Sequence, residues 1–442
     1  MPPETRYAKA GDIHIAYQVF GDGPVDMVLA TEFWHSIEAQ WDLPELAAFL
    51  ERMGSFARAI SFDQRGSGIS DPVSMREVTS LDLWMDDISA VMDEVGSESA
   101  VLYGIGGGGT MSLLFAATYP QRVSGLVLVN SFARLSRAPD YPWGRAPELE
   151  EEVLDVMRTG WGRGVFLDLV APSRVGDEEF RKWWARYQRI GASPGTVISM
   201  RKMLGQIDVR DVLPAIRAPT LVLHRADTPW NRVEHGRYLA EHIPGAKLVE
   251  IPGVDHLSFA ADAEPILRET EQFVAGIAGP PKSDRQLSTV LFTDIVDSTK
   301  LAADIGDRRW RELLQQQRAL VRREHARFHG REVDTAGDGF LATFDGPARA
   351  VQCACTVRDS VRGLGLEIRA GLHTGEVEVL PDGLAGVAVH IGQRVLTTAG
   401  PGEVVVSSTV KDLTAGSGLE FADRGLHGLK GVPDEWHLYA VR

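Results

Sequence analysis

Six short apolar runs recur through the first 278 residues: VDMVLA (25–30), ARAISF (57–62), AVLYG (100–104), GLVLVN (125–130), PTLVLH (219–224) and AKLVEI (246–251). Helical patterns such as SLDLWMDDISAVMDEVG and VEHGRYLAEHI separate most of them. Runs that stay apolar at consecutive positions are strands buried on both faces, and the helices between them are the crossovers that parallel neighbours need. The pattern therefore predicts an α/β fold, a parallel sheet covered on both sides. Residues 131–215 are the exception: rich in Trp, Arg and helical periodicity, with no good strand, they read as a helical cap inserted into the sheet domain.

At 442 residues the chain exceeds one ordinary domain. The stretch GIAGPPKSDRQ (276–286) combines Gly, Pro and charge, which sets a first domain at 1–278, a linker at 279–287 and a second domain at 288–442. Beyond it an apolar strand, STVLFTD, precedes a long helix from about 299 to 329. Two short strands, REVDTA and GFLATF, flank a Gly-Asp-Gly turn, and a helix (347–362) and the strand LEIRAGLHTG follow. Strand–helix–strand–strand–helix–strand is the ferredoxin-like α+β order.

A formal net charge of −15 argues against a nucleic acid or an anionic membrane as partner. Cys353 and Cys355 stand two apart in a helical pattern, lack further zinc ligands and read as core packing. The first twenty residues hold no apolar signal core, and no apolar run approaches a membrane span, so the expected compartment is cytoplasmic.

The stretch VLYGIGGGGTMS (101–112) runs from an apolar strand through glycines into an amphipathic helix. With FDQRGSGISDPV (62–73), PTLVLHRADTPW and IPGVDHLSF, it resembles the α/β-hydrolases along nearly the whole first domain. In that family the elbow G-x-S-x-G carries a serine nucleophile. Here Gly106 stands at the serine position, and Ser112 lies too far along the helix to substitute. The resemblance implies His256 as the positional catalytic histidine and Asp227 as the nearest acid, with Thr228 one residue later. Acyl transfer needs an attacking oxygen, which glycine does not supply. The Gly107 N–H could still contribute half an anion hole. The glycine run also invites a phosphate-loop reading, but no lysine follows in the required pattern. The expectation is a pseudo-hydrolase, either a sensor for a small apolar ligand or a scaffold, with His256 a relic.

After the linker, LFTDIVDST (291–299) places Asp294 at a strand end before a helix N-terminus, and TAGDGF (335–340) places Asp338 in the turn between two strands. In a ferredoxin-like sheet those strands are neighbours, so the two carboxylates can meet in a pair suited to Mg2+ or Mn2+. The N–H groups of Val296, Asp297, Ser298 and Thr299 face the same point and suit phosphate.

Together with RAGLHTGEV (369–377) and GVAVHIGQRVLTTAGPGEVVVSSTV (386–410), these residues resemble the catalytic domain of class III nucleotidyl cyclases over about 288–442. The pairing of the two domains resembles a family of bacterial hydrolase–cyclase fusions regarded as adenylate cyclases. The resemblance implies two Mg2+ or Mn2+ ions on Asp294, Asp338 and the Ile295 carbonyl, ATP as substrate, 3′,5′-cyclic AMP as product and Arg394 as the stabiliser of the reacting phosphate. It also implies a homodimer with shared active sites. Three positions depart from the family: Asp334 replaces a lysine that reads adenine, Gly383 beside Asp382 replaces an aspartate, and His390 replaces an asparagine. An acceptor at 334 suits the amino group of adenine or the N1–H and N2 of guanine, which keeps GTP open as substrate. The rivals are an esterase with a degenerate cyclase tail and a non-catalytic sensor.

Overall fold

The computed structural model describes residues 2–277, 285–335, 338–380 and 383–442. The chain divides at residues 283/284 into two compact units.

The first unit is built on strands β1 (Arg6–Ala10), β2 (Ile13–Phe20), β3 (Asp26–Ala30), β4 (Arg58–Phe62), β5 (Ala100–Ile105), β6 (Val123–Val129), β7 (Thr220–Arg225) and β8 (Lys247–Ile251). They form one sheet in the order β1-β2-β4-β3-β5-β6-β7-β8. From β4 to β8 every pairing is parallel, while β1–β2 and β2–β4 are antiparallel. The central strands β5, β6 and β7 are buried almost throughout, as their unbroken apolar runs require. The β1–β2 hairpin lies outside the expected strands. Its outer strand buries only Ala8 and Ala10, so it carries no continuous apolar run. Between β6 and β7 the chain leaves the sheet for the helices Pro147–Gly160, Glu178–Gly191 and Pro194–Gln206.

The second unit comprises β9 (Arg285–Ile295), β10 (Arg331–Asp334), β11 (Phe340–Phe344), β12 (Ile368–Leu380), β13 (Gly383–Ala385), β14 (Val404–Ser407), β15 (Phe421–Gly428) and β16 (Glu435–Val441). The order is β10-β11-β9-β12-β14-β16-β15, with β13 paired to β12. Its first four strands are the ferredoxin-like core, extended by β14, β16 and β15. β9 begins at Arg285, inside the stretch expected to be linker. The helix expected over 299–329 is two, Ser298–Ile305 and Asp307–Arg327, because Gly306 turns the chain at φ +81°.

One face of this sheet packs Leu291, Ile295, Phe340, Ala370 and Leu372 against the helix Pro347–Val361, where Cys353 is buried and carries no disulfide. The opposite face takes the helix Val387–Thr398 through Ala388, Ile391 and Val395. That helix sits very close: a Cβ on Gly371 would lie 2.1 Å from the Leu396 nitrogen. No helix among the described residues is long and apolar enough to cross a membrane.

Candidate functional sites

In the first unit β5 ends at a sharp turn, and the helix Gly107–Thr118 begins directly after Gly106, whose φ is +52°. The glycine run has a packing cause. A Cβ on Gly108 would lie 2.1 Å from the Ala30 carbonyl oxygen, and one on Gly109 would lie 2.0 Å from Ser131 Oγ. The helix therefore presses on the end of β3 and on the segment just after β6, which explains these glycines without a phosphate. Ser112 is buried and donates to the Gly108 carbonyl at 2.9 Å, so its hydroxyl is used locally.

The space where a nucleophile would project is filled from another element. Glu32, on the turn after β3, places Oε1 1.8 Å from where a Cβ of residue 106 would be. The same oxygen lies 3.3 Å from His256 Nε2, within ion-pair range although not aligned as a hydrogen bond. Both side chains are almost fully buried, and His256 Nδ1 has no partner among the described residues. Asp227 does not serve as its acid. It is exposed at the end of β7, where its N–H donates to the Gly253 carbonyl. The next residue, Thr228, is the one turned inward, and its hydroxyl is also unpartnered among the described residues. Gly107 is buried under Leu204 of the helix Pro194–Gln206, whose Cδ1 would stand 3.0 Å from a Cβ there. Of the hydrolase constellation, His256 and the elbow backbone are in place, and a carboxyl group stands in the nucleophile's room.

In the second unit Asp294 is the penultimate residue of β9, and β11 pairs with β9 from Phe340 opposite Thr293. Asp338 lies two residues before that pairing, so the hairpin delivers it to the same end of β9. Asp338 Oδ2 is closed off from solvent and has no hydrogen-bond partner among the described residues. Asp294 is partnered: Arg369, directly opposite on β12, donates from Nη2 to Asp294 Oδ2 at 2.7 Å. Two carboxylates and a strand-end carbonyl are hard oxygen donors, and an orphaned buried carboxylate oxygen fits a divalent cation that takes its remaining ligands from phosphate and water. The Ile295 carbonyl ends the strand beside them.

The helix N-terminus after Asp294 differs from expectation at one position. The Val296 N–H donates to the Glu367 carbonyl at 2.8 Å, because the chain stays paired to the start of β12, and so it is not free for phosphate. Asp297 takes the left-handed conformation at φ +53° and starts the helix whose first turn holds Ser298 and Thr299.

His390 and Arg394 lie one turn apart on the outer side of the helix Val387–Thr398, His390 exposed and Arg394 half-exposed. Among the described residues no hydrogen bond or ion pair joins either to Asp294 or Asp338. Asp334, the last residue of β10, is exposed and accepts from the Thr335 N–H at 2.7 Å. Gly383 opens β13; Asp382 lies outside the described residues.

Two residues with a clear place in these sites carry little signal in sequence. Glu32 could have been flagged as an acid in the otherwise apolar turn LATEFWH, and Arg369 as a charge at the mirror position of Asp294 once β9 and β12 are paired.

Residues 35–263 match the family described as alpha/beta hydrolase fold, and residues 281–442 match the adenylate and guanylate cyclase catalytic domain. A pimeloyl-[acyl-carrier protein] methyl ester esterase of Neisseria meningitidis is 28% identical over 197 residues, 43% of this chain and 77% of the relative. A putative adenylate cyclase 3 of Rhizobium meliloti is 25% identical over 171 residues, 35% of this chain and 28% of that longer protein. A hydrolase structure from Oleispira antarctica shares the first unit's fold at TM-score 0.53 and 20% identity, covering 59% of this chain and 94% of its own. The chain belongs to the alpha/beta hydrolase fold family through its first unit and carries, in its second, an adenylate and guanylate cyclase catalytic domain.

Proposed function

We propose that the protein is a metal-dependent adenylate cyclase that converts ATP to 3′,5′-cyclic AMP and pyrophosphate, with a pseudo-hydrolase domain that binds a small ligand and regulates it. The observation that carries the catalytic reading is the delivery of Asp294 and Asp338 to one end of the β9–β11 pair, with Asp338 Oδ2 buried and unpartnered.

Asp294, Asp338 and the Ile295 carbonyl would hold Mg2+ or Mn2+, which supplies charge neutralisation of the triphosphate and acidification of the ribose 3′-hydroxyl. The first turn of the helix Ser298–Ile305 offers its free N–H groups to phosphate oxygens. Arg394 contributes a planar fork of donors to the α-phosphate as the 3′-oxygen bonds to phosphorus and pyrophosphate leaves. His390 donates beside it. Among the described residues Arg394 and His390 have no link to Asp294 or Asp338, which supports a homodimer in which one chain brings the carboxylates and the other brings Arg394, His390 and Asp334 to each site. A carboxylate at 334 accepts from the amino group of adenine and equally from guanine, so GTP is the alternative substrate.

The test is cyclic-nucleotide production at saturating Mn2+ with ATP or GTP. Asp294→Asn and Asp338→Asn should each lower the rate by orders of magnitude, about as far as the double variant, because the pair acts as a unit. Asp334→Lys should raise the ATP-to-GTP ratio. Full activity in either Asn variant removes the metal assignment, and an unchanged ratio removes Asp334 from the base pocket.

For the first unit, glycine at 106 supplies no nucleophile, and Thr228 and the exposed Asp227 leave His256 Nδ1 without an acid among the described residues, which favours binding over ester hydrolysis.

A further inference from the structure

A cavity of about 70 Å³ opens beside Glu32 in the first unit. Most of its wall is apolar, from Leu46, Phe49, Leu50, Met53, Trp184 and Phe259. Of the polar residues that line it, His35, Gln40 and Tyr187 are already hydrogen-bonded, to Ser61, to Gln18 and, His35 with Tyr187, to each other, which leaves Thr31, Glu32, Tyr103 and Ser258. Tyr103 and Ser258 are 1% and 2% exposed; their hydroxyls face each other, and neither has any other partner among the described residues. Burial pushes the Tyr103 phenol up, so it remains a donor.

A bond between two buried hydroxyls uses only one of their two protons; the other costs free energy while unmet, and a ligand that accepts it recovers that cost. The ligand's polar end must donate to the Glu32 carboxyl and accept the free proton of the Tyr103–Ser258 pair. A carboxylate has no proton to donate to the Glu32 carboxyl. An ammonium has no lone pair for the two hydroxyls. A hydroxyl does both. At ~15 Å³ per water-sized group, the cavity takes roughly five non-hydrogen atoms.

We infer that this cavity binds a small uncharged alcohol, held at its hydroxyl by Glu32, Tyr103 and Ser258, and that Glu32 bars the carboxylic acids which the esterase-like relatives' chemistry would release. The inference rests on the reading of the first unit as a ligand-binding domain. The same glutamate that fills the nucleophile's room thereby sets the ligand's chemistry.

The experiment uses the full chain with 1-butanol, butanoate and butylammonium, read by saturation-transfer NMR and by the fluorescence of Trp34 and Trp184, which line the cavity. 1-Butanol should bind and the two ions should not. Tyr103→Phe, with its melting transition checked, should weaken butanol about five- to tenfold. Glu32→Gln should admit butanoate. Preference of the unaltered protein for either ion, or butanol binding indifferent to both substitutions, overturns the alcohol assignment and leaves a ligand-binding domain standing. Silence of all three probes overturns that domain reading as well.

Discussion

Gly106 and Glu32 are best understood as one feature. The elbow geometry is retained, but the residue at its apex has no side chain, and the vacated room holds a carboxyl group 3.3 Å from His256. A serine reintroduced at 106 does not find open space, because its Cβ would stand 1.8 Å from Glu32 Oε1. Gly106→Ser alone should therefore lower the unfolding free energy of the first unit by about 1–3 kcal/mol, the usual range for overpacking a full interior. Glu32→Ala with Gly106→Ser should recover much of that loss. Neither variant should hydrolyse p-nitrophenyl acetate above background, since His256 Nδ1 still lacks a carboxylate. Denaturant titration and an ester assay on the three proteins check both statements.

Among the elements, the helix Val387–Thr398 shows how closely function depends on packing. It carries His390 and Arg394 outward while its inner side rests on β12 across Gly371. Gly371→Ala places a methyl group 2.1 Å from the Leu396 nitrogen, and backbone cannot yield as a side chain can. The helix must lift, so the variant should lose about 1–3 kcal/mol of stability and most of its cyclase activity while Mn2+ binding is retained; urea unfolding, turnover and calorimetry separate the three. The elements themselves were legible to different degrees. Strands β3 to β7 announce themselves because both faces are buried, which forces a continuous apolar run. The β1–β2 hairpin escapes because its outer strand is half in water, and the break at Gly306 escapes because a glycine inside a helical pattern is also tolerated without one. Asp294 and Asp338 were legible because chemistry demands acids at a strand end and a tight turn. Glu32 and Arg369 matter through what they face across the fold, and spacing along the chain carries no record of that.

For the whole molecule, the central expectation is a shared active site. Arg394 and His390 point away from the sheet of their own unit, with no link to its carboxylates among the described residues. Mixing an Asp294→Ala chain with an Arg394→Ala chain should restore cyclase activity to a fraction of the unaltered level, because each mixed dimer keeps one intact site. If subunits demonstrably exchange and the mixture never exceeds either parent, the shared-site arrangement fails. The contact between Arg369 and Asp294 bears on how such an assembly rests between turnovers. The domain carries an internal counter-ion for one of its two acids, so Asp294 is already electrically balanced before any cation arrives. On the proposed reading, folding would then not depend on metal supply, unlike that of a domain whose ligands repel one another until an ion joins them. A divalent ion held by Asp294 would compete with this guanidinium, and one accompanied by a triphosphate would do so more effectively than an ion alone. The sheet thus holds an arginine against the carboxylate that the proposed reaction would need free.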